Sequence, residues 1–346
     1  MKHPHLRIPL ITTVLGTAMT TAATVAPALT PLASVPATVA AAMPRWTFDG
    51  AIHNNSLAVS PDETIAVASY SERPDVVVYD LRTGAVRAVL HGYITPRNIV
   101  FEPSGDSFYI SDSSLGRIDR VDSRSLQVLS NLSTGAGAFG TTISADGGAL
   151  YVNNEAASTV TRFDLTHQRA DAVITGFAQP RQGVRLSPDG NTLLVTNFLG
   201  DKITLVDAHA NTISGEIAGF NKIRAISISA DGKTLYAANS GSNSVSVVDV
   251  EQHRIIRSIP VGRDPYGAAL SPDGKTVYSG NLADNSLSVI DVATQRVVNT
   301  ITGFNEPRQA IVFNRAGSVA YVLNKDLSVS KVDLVAGRIT ETLRPE

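Results

Sequence analysis

The sequence predicts an all-β protein: a seven-bladed β-propeller of four-stranded antiparallel blades. Three observations carry this prediction: a turn motif that occurs seven times, a second marker in the same register, and alternating apolar residues between the two. A period of about 40 to 50 residues with such strand and turn patterning is typical of propeller blades.

The turn motif reads Ser-Pro-Asp-Gly or a close variant, and successive copies are 42, 42, 43, 42, 42 and 43 residues apart. Proline presets the first turn position, and glycine tolerates the positive φ that closes the turn. The copies begin at Ser60, Glu102, Ser144, Ser187, Ser229, Ser271 and Asn314. The second marker is an aspartate that ends an alternating strand, at Asp80, Asp122, Asp164, Asp207, Asp249, Asp291 and Asp333.

Each repeat contains four short stretches with the period-two alternation of β-strands. In the sixth repeat we predict strands over Gly267–Leu270, Thr276–Ser279, Ser286–Asp291 and Arg296–Ile301. The seventh repeat has its own fourth strand at Arg338–Leu343, but residues 45–49 could also pair beside it, which leaves the manner of ring closure open. A closed ring in either form removes exposed sheet edges.

The first residues of the chain differ in composition from the repeats. Lys2 and Arg7 precede an apolar run from Ile8 to about Leu15, and an uncharged segment rich in Ala, Thr and Pro follows. This pattern is typical of a secretory signal peptide, with cleavage near Ala42 or earlier near Ala23. We therefore predict a signal peptide and cleavage region or linker at 1–42, a propeller at 43–346, and a periplasmic or secreted protein. The run is shorter than the roughly 20 residues that span a membrane.

Composition limits the possible functions. The chain has no cysteine, which excludes disulfides, thiolate metal sites and a lipid-modified N-terminal cysteine. Removing residues 1–42 lowers the 29 Lys and Arg to 27, against 31 Asp and Glu, because Lys2 and Arg7 are lost and no acidic residue is. That balance argues against a broad basic face for duplex DNA but permits a local basic patch.

Five second strands resemble the tetrapeptide of the YVTN-type propeller repeats. They are Tyr151-Val152-Asn153-Asn154, Leu194-Val195-Thr196-Asn197, Tyr236-Ala237-Ala238-Asn239, Tyr278-Ser279-Gly280-Asn281 and Tyr321-Val322-Leu323-Asn324. Among such proteins the exported, one-domain arrangement is most similar to YncE-like periplasmic proteins. The resemblance implies seven blades, suggests binding of single-stranded DNA, and implies no established catalytic residue. Because these repeats serve many unrelated roles, it is specific for fold and weak for function.

Arginines are frequent in the loops that would surround one end of the central channel. The window before each predicted first strand contains arginine in four of the seven repeats, and two further windows contain an aromatic residue. A fifth arginine falls inside the first strand of the fourth repeat, where the other repeats have uncharged residues. The candidate ligand-binding residues are Arg97, Arg181, Arg185, Arg224, Arg308, Tyr266 and Phe139.

These residues predict a cationic funnel at the channel mouth that binds an anionic small molecule, an acidic peptide, single-stranded nucleic acid or a protein partner. Structural pairing is the alternative, in which each arginine ties blades together through a nearby carboxylate. The candidate partners are Asp112, Glu155, Asp201, Asp264 and Glu306. We predict a monomer that is not an enzyme, with no catalytic residue, cofactor or metal.

Two other functions remain open at this stage. One is a propeller enzyme of the lactonase or isomerase kind, which would use channel-face carboxylates with His53 or His91 as acid and base. The other is a protein-interaction module of an envelope assembly. No nucleophile elbow, phosphate-binding glycine loop or metalloprotease motif is present. His167, His209 and His253 fall on outer turns of three different blades, too far apart to share a metal.

Overall fold

The protein folds as a seven-bladed β-propeller, as the sequence predicts. A computed structural model describes residues 52–345, in which seven four-stranded antiparallel sheets follow one another along the chain. The first strands of neighbouring blades contact each other, so they line the central axis. The predicted signal peptide and linker at 1–42 lie outside the described residues. No helix in the described part of the chain is long and apolar enough to cross a membrane.

The strands are numbered in chain order, four to a blade. The first, axial strands are β1 Asn55–Val59, β5 Pro96–Phe101, β9 Ala138–Ile143, β13 Pro180–Leu186, β17 Ile223–Ile228, β21 Ala269–Leu270 and β25 Ile311–Phe313. The second strands are β2 Ile65–Tyr70, β6 Ser107–Asp112, β10 Ala149–Asn154, β14 Thr192–Asn197, β18 Thr234–Asn239, β22 Thr276–Asn281 and β26 Val319–Leu323.

The third strands are β3 Val76–Asp80, β7 Arg117–Asp122, β11 Thr159–Asp164, β15 Lys202–Asp207, β19 Ser244–Asp249, β23 Ser286–Asp291 and β27 Val329–Asp333. The fourth, outermost strands are β4 Val86–Leu90, β8 Val128–Ser133, β12 Arg169–Ile174, β16 Thr212–Ala218, β20 Arg254–Pro260, β24 Arg296–Thr302 and β28 Arg338–Leu343. A single turn of 3₁₀ helix, Leu282–Asp284, lies in a loop of blade six.

The hydrophobic core lies between adjacent blades rather than at the axis. Second strands are almost wholly buried because both of their faces are covered by neighbouring blades, whereas the outermost strands expose most of their residues. One apolar cluster, for example, joins Tyr151 and Val160 of blade three to Leu193 and Val195 of blade four. Each blade is thus stabilised mainly by burial against its neighbours, as in other repeat architectures.

Blade six shows how closely the predicted strands match the observed ones. Its third strand, β23, has the predicted bounds, while β22 and β24 extend past the predicted ends to Asn281 and Thr302. Its first strand is only Ala269–Leu270, with an isolated bridge between Pro265 and Asn281 beyond it. Gly267 lies in this gap, and a Cβ there would lie 3.0 Å from the Arg308 carbonyl oxygen, so blades six and seven approach closely at this point.

The asparagine that ends the YVTN-like tetrapeptides is a structural residue. In blade five, Asn239 is buried, donates from Nδ2 to Ser246 Oγ at 2.9 Å, and accepts the Asn221 amide at 3.2 Å. Asn197 and Asn324 make corresponding bonds in blades four and seven. The side chain therefore ties the loop that enters the blade to its third strand, and satisfies buried polar groups that would otherwise be costly.

Ring closure needs no strand shared between the ends of the chain. Blade seven contains four consecutive strands, β25 to β28, and β28 has the predicted bounds Arg338–Leu343. Residues 45–49, the other candidate, lie outside the described part of the chain. Blades one and seven meet through an apolar cluster and through the Tyr79 hydroxyl, which donates to the Leu327 carbonyl oxygen at 2.7 Å.

Candidate functional site

The loops that enter the blades share a backbone feature that places their side chains at the channel mouth. In blades three to seven, the loop before the first strand contains a residue with positive φ, and the candidate mouth residue follows it by two positions. These left-handed residues are Gly137, Gln179, Lys222, Asp264 and Glu306, and the residues two positions later are Phe139, Arg181, Arg224, Tyr266 and Arg308. Non-glycine residues in this region cost about 1 kcal/mol, so the surrounding loop must hold them.

Arginines and aromatic rings alternate around the mouth, and we call this set the Arg–aromatic ring. It comprises Tyr70, Arg97, Phe139, Arg181, Phe198, Arg224, Tyr266 and Arg308, from all seven blades. The guanidinium carbon of Arg181 lies 3.5 Å from the Phe198 ring centroid, and that of Arg224 lies 4.9 Å from the same centroid. Such stacking contributes roughly 0.5–2 kcal/mol per contact, more where water is excluded.

The series continues through Tyr266. The Arg224 guanidinium carbon is 4.4 Å from the Tyr266 ring centroid, and that of Arg308 is 4.9 Å from the same centroid on the other side. Tyr70 closes this part of the ring at 6.0 Å from Arg308. Phe198 and Tyr266 therefore hold three guanidinium groups together. Two of these groups have carboxylate partners, Arg181 with Glu155 and Arg308 with Glu306 at 3.8 Å, which leaves Arg224 without one among the described residues.

Arg224 is the least neutralised member of the ring. Its Nε donates to Ser240 Oγ at 3.0 Å, and its two terminal nitrogens make no hydrogen bond to any described residue. No carboxylate in residues 52–345 is within ion-pair distance of it. Burial lowers the pKa of Arg224, with Arg308 acting in the same direction and Tyr266 and Asp264 opposing it. The group nevertheless stays protonated, since arginine does not lose its proton in proteins.

Arg181 has a structural partner. Its Nε lies 3.2 Å from Glu155 Oε1, and its Nη2 donates to Gln179 Oε1 at 3.2 Å. Glu155 is buried, and this burial raises the pKa of its carboxyl group, while Arg181 and Arg97 oppose the rise. Its second oxygen, Oε2, has no hydrogen-bond partner among the described residues. Glu155 thus balances the positive charge on the side of the ring formed by blades two to four.

Arg97 and Arg308 are buried and serve the structure of the ring. Arg97 is fully buried, donates from Nη1 to Asn54 Oδ1 at 2.6 Å, and covers the Phe139 ring at 4.5 Å. Arg308 is 6% exposed and reaches the His53 carbonyl oxygen at 3.2 Å. Both belong to the Arg–aromatic ring, but their side chains, and the Phe139 ring with them, are covered by protein.

A small pocket remains open inside the ring. Its volume is about 30 Å³, and its walls include Arg181, Arg224, Tyr266 and Phe139 among the candidate residues. A water-sized group needs about 10–15 Å³ of such space, so the pocket accepts roughly two of these groups. A carboxylate has two oxygens and would therefore fill it. The remainder of any ligand would lie outside, on the rim.

The prediction that Arg185 belongs to the mouth is wrong. Arg185 pairs with Leu194 in the blade-four sheet and lies two residues before the Ser187 turn, toward the opposite end of the channel. It lines a separate cavity of about 300 Å³ along the axial strands. Because axial strands run from the mouth to the far face, a residue near the end of β13 cannot reach the loops at its beginning.

The remaining acidic and histidine candidates are mostly tied to local partners. Asp112 Oδ2 accepts the amides of Ile94 and Thr95, so this carboxylate orders a loop. His53 Nδ1 is 2.8 Å from Glu72 Oε1, and His91 Nδ1 is 2.8 Å from Asp75 Oδ1. Within residues 52–345, no three His, Asp or Glu side chains are arranged to hold a metal ion.

Two kinds of site residue are absent from the sequence prediction. Phe198 and Tyr70 follow or end second strands, and only the loop geometry shows that they face the arginines. Gln182 and Gln309 form walls of both the mouth pocket and the channel cavity. Their signal is present in the sequence, since both belong to the Pro-Arg-Gln tripeptides where the repeat is one residue longer.

The fold and the site together define a seven-bladed propeller whose mouth is closed down to a small cationic pocket. Residues 207–313 match the family described as "Lactonase, 7-bladed beta-propeller". The matched segment runs from the end of β15 to β25, and it contains Arg224, Tyr266 and Arg308 but not Arg97 or Arg181. No curated protein is similar in sequence to this chain.

Solved structures support the same architecture. Hydrazine synthase of Kuenenia stuttgartiensis superimposes with a TM-score of 0.72 at 18% identity, over 80% of this chain and 94% of that chain. At this identity the likeness shows the fold alone, because propellers host many unrelated functions. The match to a family of seven-bladed propellers and this likeness agree with the fold, while the finer resemblance to YVTN-type repeats stays a prediction.

Proposed function

We propose that this propeller is a binding protein whose mouth pocket holds the carboxylate of a small organic anion. The observation that carries the proposal is Arg224, a partly buried guanidinium with no carboxylate within ion-pair distance among the described residues and with two unused terminal nitrogens. A carboxylate accepts two parallel N–H bonds from such a group, and this geometry is both strong and specific.

The volume of the pocket favours a small ligand. Space for about two water-sized groups suits a carboxylate, and Tyr266 lies partly exposed on the rim. Because guanidinium groups cover both faces of the Tyr266 ring, the ligand body contacts its edge, which adds apolar contact without requiring depth. A nucleic-acid strand or acidic peptide would need a longer continuous cationic groove, and Arg97 and Arg308 are too buried to supply one.

The test uses benzoate as the probe, with neutral benzamide as the matched ligand. We expect calorimetry to show benzoate binding to the parent protein, no comparable benzamide binding, and weaker affinity at higher salt. Arg224→Gln should lower benzoate affinity at least tenfold, because a hydrogen bond to a charged group is worth about 1.5–3 kcal/mol and 1.4 kcal/mol is tenfold. Arg257→Gln, on the exposed outer strand β20, is the control and should bind as the parent does.

Unchanged benzoate affinity in Arg224→Gln contradicts the proposal. The assignment to a small ligand also fails if a short single-stranded oligonucleotide binds more tightly than benzoate and loses that binding in Arg224→Gln. In that case the mouth serves a nucleic acid, as the resemblance to YncE-like proteins implies.

A lactone-hydrolysing enzyme is the second candidate, and the family match over residues 207–313 favours it. Glu155 is the group best suited to act as base, because burial raises the pKa of its carboxyl group and Oε2 is unused among the described residues. Glu155 does not form a wall of the mouth pocket, however, so the geometry supports binding better. Hydrolysis of glucono-δ-lactone above the spontaneous rate, lost in Glu155→Gln, would replace the binding function with this one.

A further inference from the structure

A second cavity lies along the axis, beyond the mouth pocket. It measures about 300 Å³, and its walls are formed by axial strands of six blades. Ser56, Asn98, Thr142 and Val312 are typical of these walls, which are apolar or neutral. Arg185 is the one charged residue among the described residues that line it.

Arg185 has no countercharge within the described chain. Its Nη1 donates to the Val184 carbonyl oxygen at 2.8 Å, and this is its one hydrogen bond to residues 52–345. The Arg185 side chain is exposed to the channel. Desolvation by the channel walls lowers the pKa of its guanidinium group. A guanidinium has five N–H donors, and all but one of those of Arg185 have no acceptor among the described residues.

Two hydroxyl groups lie at the same level of the channel as Arg185. Thr142 in β9 and Ser227 in β17 occupy the equivalent register on the neighbouring blades, paired with Tyr151 and Tyr236 as Arg185 is paired with Leu194. Ser227 Oγ is buried and has no hydrogen-bond partner among the described residues. Thr142 and Arg185 both line the cavity, whereas Ser227 does not, so one cation and one hydroxyl donor on consecutive blades face it at this level.

A layer of side-chain amides separates this cavity from the mouth. Asn54 Nδ2 donates to Gln182 Oε1 at 2.9 Å across the channel, and Gln182 Nε2 donates in turn to Asn98 Oδ1. Asn98 Nδ2 then donates to Thr141 Oγ1 at 2.6 Å. Gln309 Nε2 is held by the Asn55 carbonyl oxygen at 2.6 Å. The amide layer connects blades one to four, and Gln182 and Gln309 form walls of both cavities.

We infer that the channel cavity is a second anion site, in which Arg185 and Thr142 bind a compact tetrahedral oxyanion of the phosphate or sulfate type. Such an ion presents oxygens in several directions and can accept from the guanidinium and from the hydroxyl group on the neighbouring blade. The site is distinct from the proposed carboxylate pocket, because Arg185 lines the channel cavity and not the mouth pocket, whereas Arg224 lines the mouth pocket and not the channel cavity.

Diffraction provides the direct test. Crystals of the parent protein soaked in selenate should show an anomalous peak beside the Arg185 guanidinium, and crystals of Arg185→Gln should show none there. The exposed outer-strand variant Arg257→Gln is the control and should keep the peak. Absence of a peak at Arg185 in well-soaked parent crystals overturns the inference.

Thermal unfolding with inorganic phosphate gives a second readout, since a ligand that binds only the folded state raises Tm with its concentration. We expect the phosphate-dependent rise to be lost in Arg185→Gln and retained in Arg224→Gln. The opposite pattern, lost in Arg224→Gln and retained in Arg185→Gln, would place phosphate at the mouth, which overturns the second site while leaving the proposed function standing.

Discussion

Arg97 is a candidate ligand-binding residue in the sequence, but in the structure its side chain makes buried hydrogen bonds that hold the fold together. Its side chain is fully buried, and its donors reach Ser113 Oγ at 3.0 Å, Ile52 O at 3.0 Å and Asn54 Oδ1 at 2.6 Å. The hydrogen bond to Asn54 also orients the amide that crosses the channel to Gln182. Arg97 therefore supports both the mouth pocket and the amide layer without facing either ligand.

Replacing Arg97 should accordingly be a stability change. We expect Arg97→Met to lower the free energy of unfolding by about 3 kcal/mol, because it leaves buried acceptors unpaired while keeping apolar contact with Phe139. Urea denaturation of the two proteins gives the difference directly. The matched control is Arg257→Met on the exposed face of β20, which should change stability by less than about 0.5 kcal/mol. Equal values for the two variants would show that Arg97 is not structural.

At the scale of the element, the Ser-x-Asp turn is built from a short set of hydrogen bonds. In blade six, Ser271 Oγ donates to Asp273 Oδ1 at 2.6 Å and accepts the Thr276 amide at 3.0 Å. Blade seven lacks this pair, and Asn314 Oδ1 takes its place by accepting the amides of Ser318 and Val319, each at 2.9 Å. The repeat thus keeps the turn geometry with different chemistry.

These turns make part of the free energy of unfolding depend on pH. The hydrogen bond from Ser271 and the Lys275 amide lower the pKa of Asp273. A carboxyl group with a lowered folded-state pKa contributes stability above its ordinary pKa, and this contribution is lost as the pH falls through the folded-state value. We expect Asp273→Asn to be less stable than the parent at pH 7 and the difference to shrink as the pH falls toward 3.

Urea denaturation at a series of pH values measures this difference. Ser271→Ala removes the hydroxyl that lowers the Asp273 pKa, so its deficit should also shrink in acid, from about 1 kcal/mol at neutral pH. A deficit that is independent of pH in both variants would contradict this account of the turn.

The elements also show what the sequence can and cannot predict. Seven blades, their turns and the bounds of β23 follow from a period and a two-residue alternation, which are local properties. The loop arginines can be placed at the mouth for the same reason. Burial of Arg97, the Tyr266 stack between two guanidinium groups, and the bond from Asn54 to Gln182 each depend on side chains from different blades. No local pattern encodes those distances.

Arg185 is the clearest case of this limit. The sequence identifies it as a charged residue at a position where other blades have uncharged ones, and that observation holds. Its assignment to the mouth ignores the length of the axial strand, because β13 is seven residues long and Arg185 lies near the end that is farther from the mouth. The register with Leu194 places it on the far side of the amide layer.

At the scale of the whole molecule, the ring is closed by noncovalent contacts between its first and last blades. Blade-to-blade contacts elsewhere are reinforced by the chain that links consecutive blades, but blades one and seven have no such link within the described residues. Their interface contains an apolar cluster and several hydrogen bonds, among them Asn55 Nδ2 to Leu323 O at 3.3 Å, Gln309 Nε2 to Asn55 O at 2.6 Å, and the Tyr79 bond. Local opening should therefore begin at this seam.

Tyr79→Phe tests this expectation. The variant leaves the buried Leu327 carbonyl oxygen without its 2.7 Å hydrogen bond, which should cost about 1–3 kcal/mol. Tyr151→Phe is the control, because the Tyr151 hydroxyl makes a similar bond to Ala208 O at 3.3 Å between consecutive blades. By hydrogen exchange, we expect Tyr79→Phe to speed exchange in β2, β3, β26 and β27 ahead of the rest of the ring. Uniform acceleration across all blades would instead mean that the propeller opens as one unit and that the seam is no weaker than any other interface.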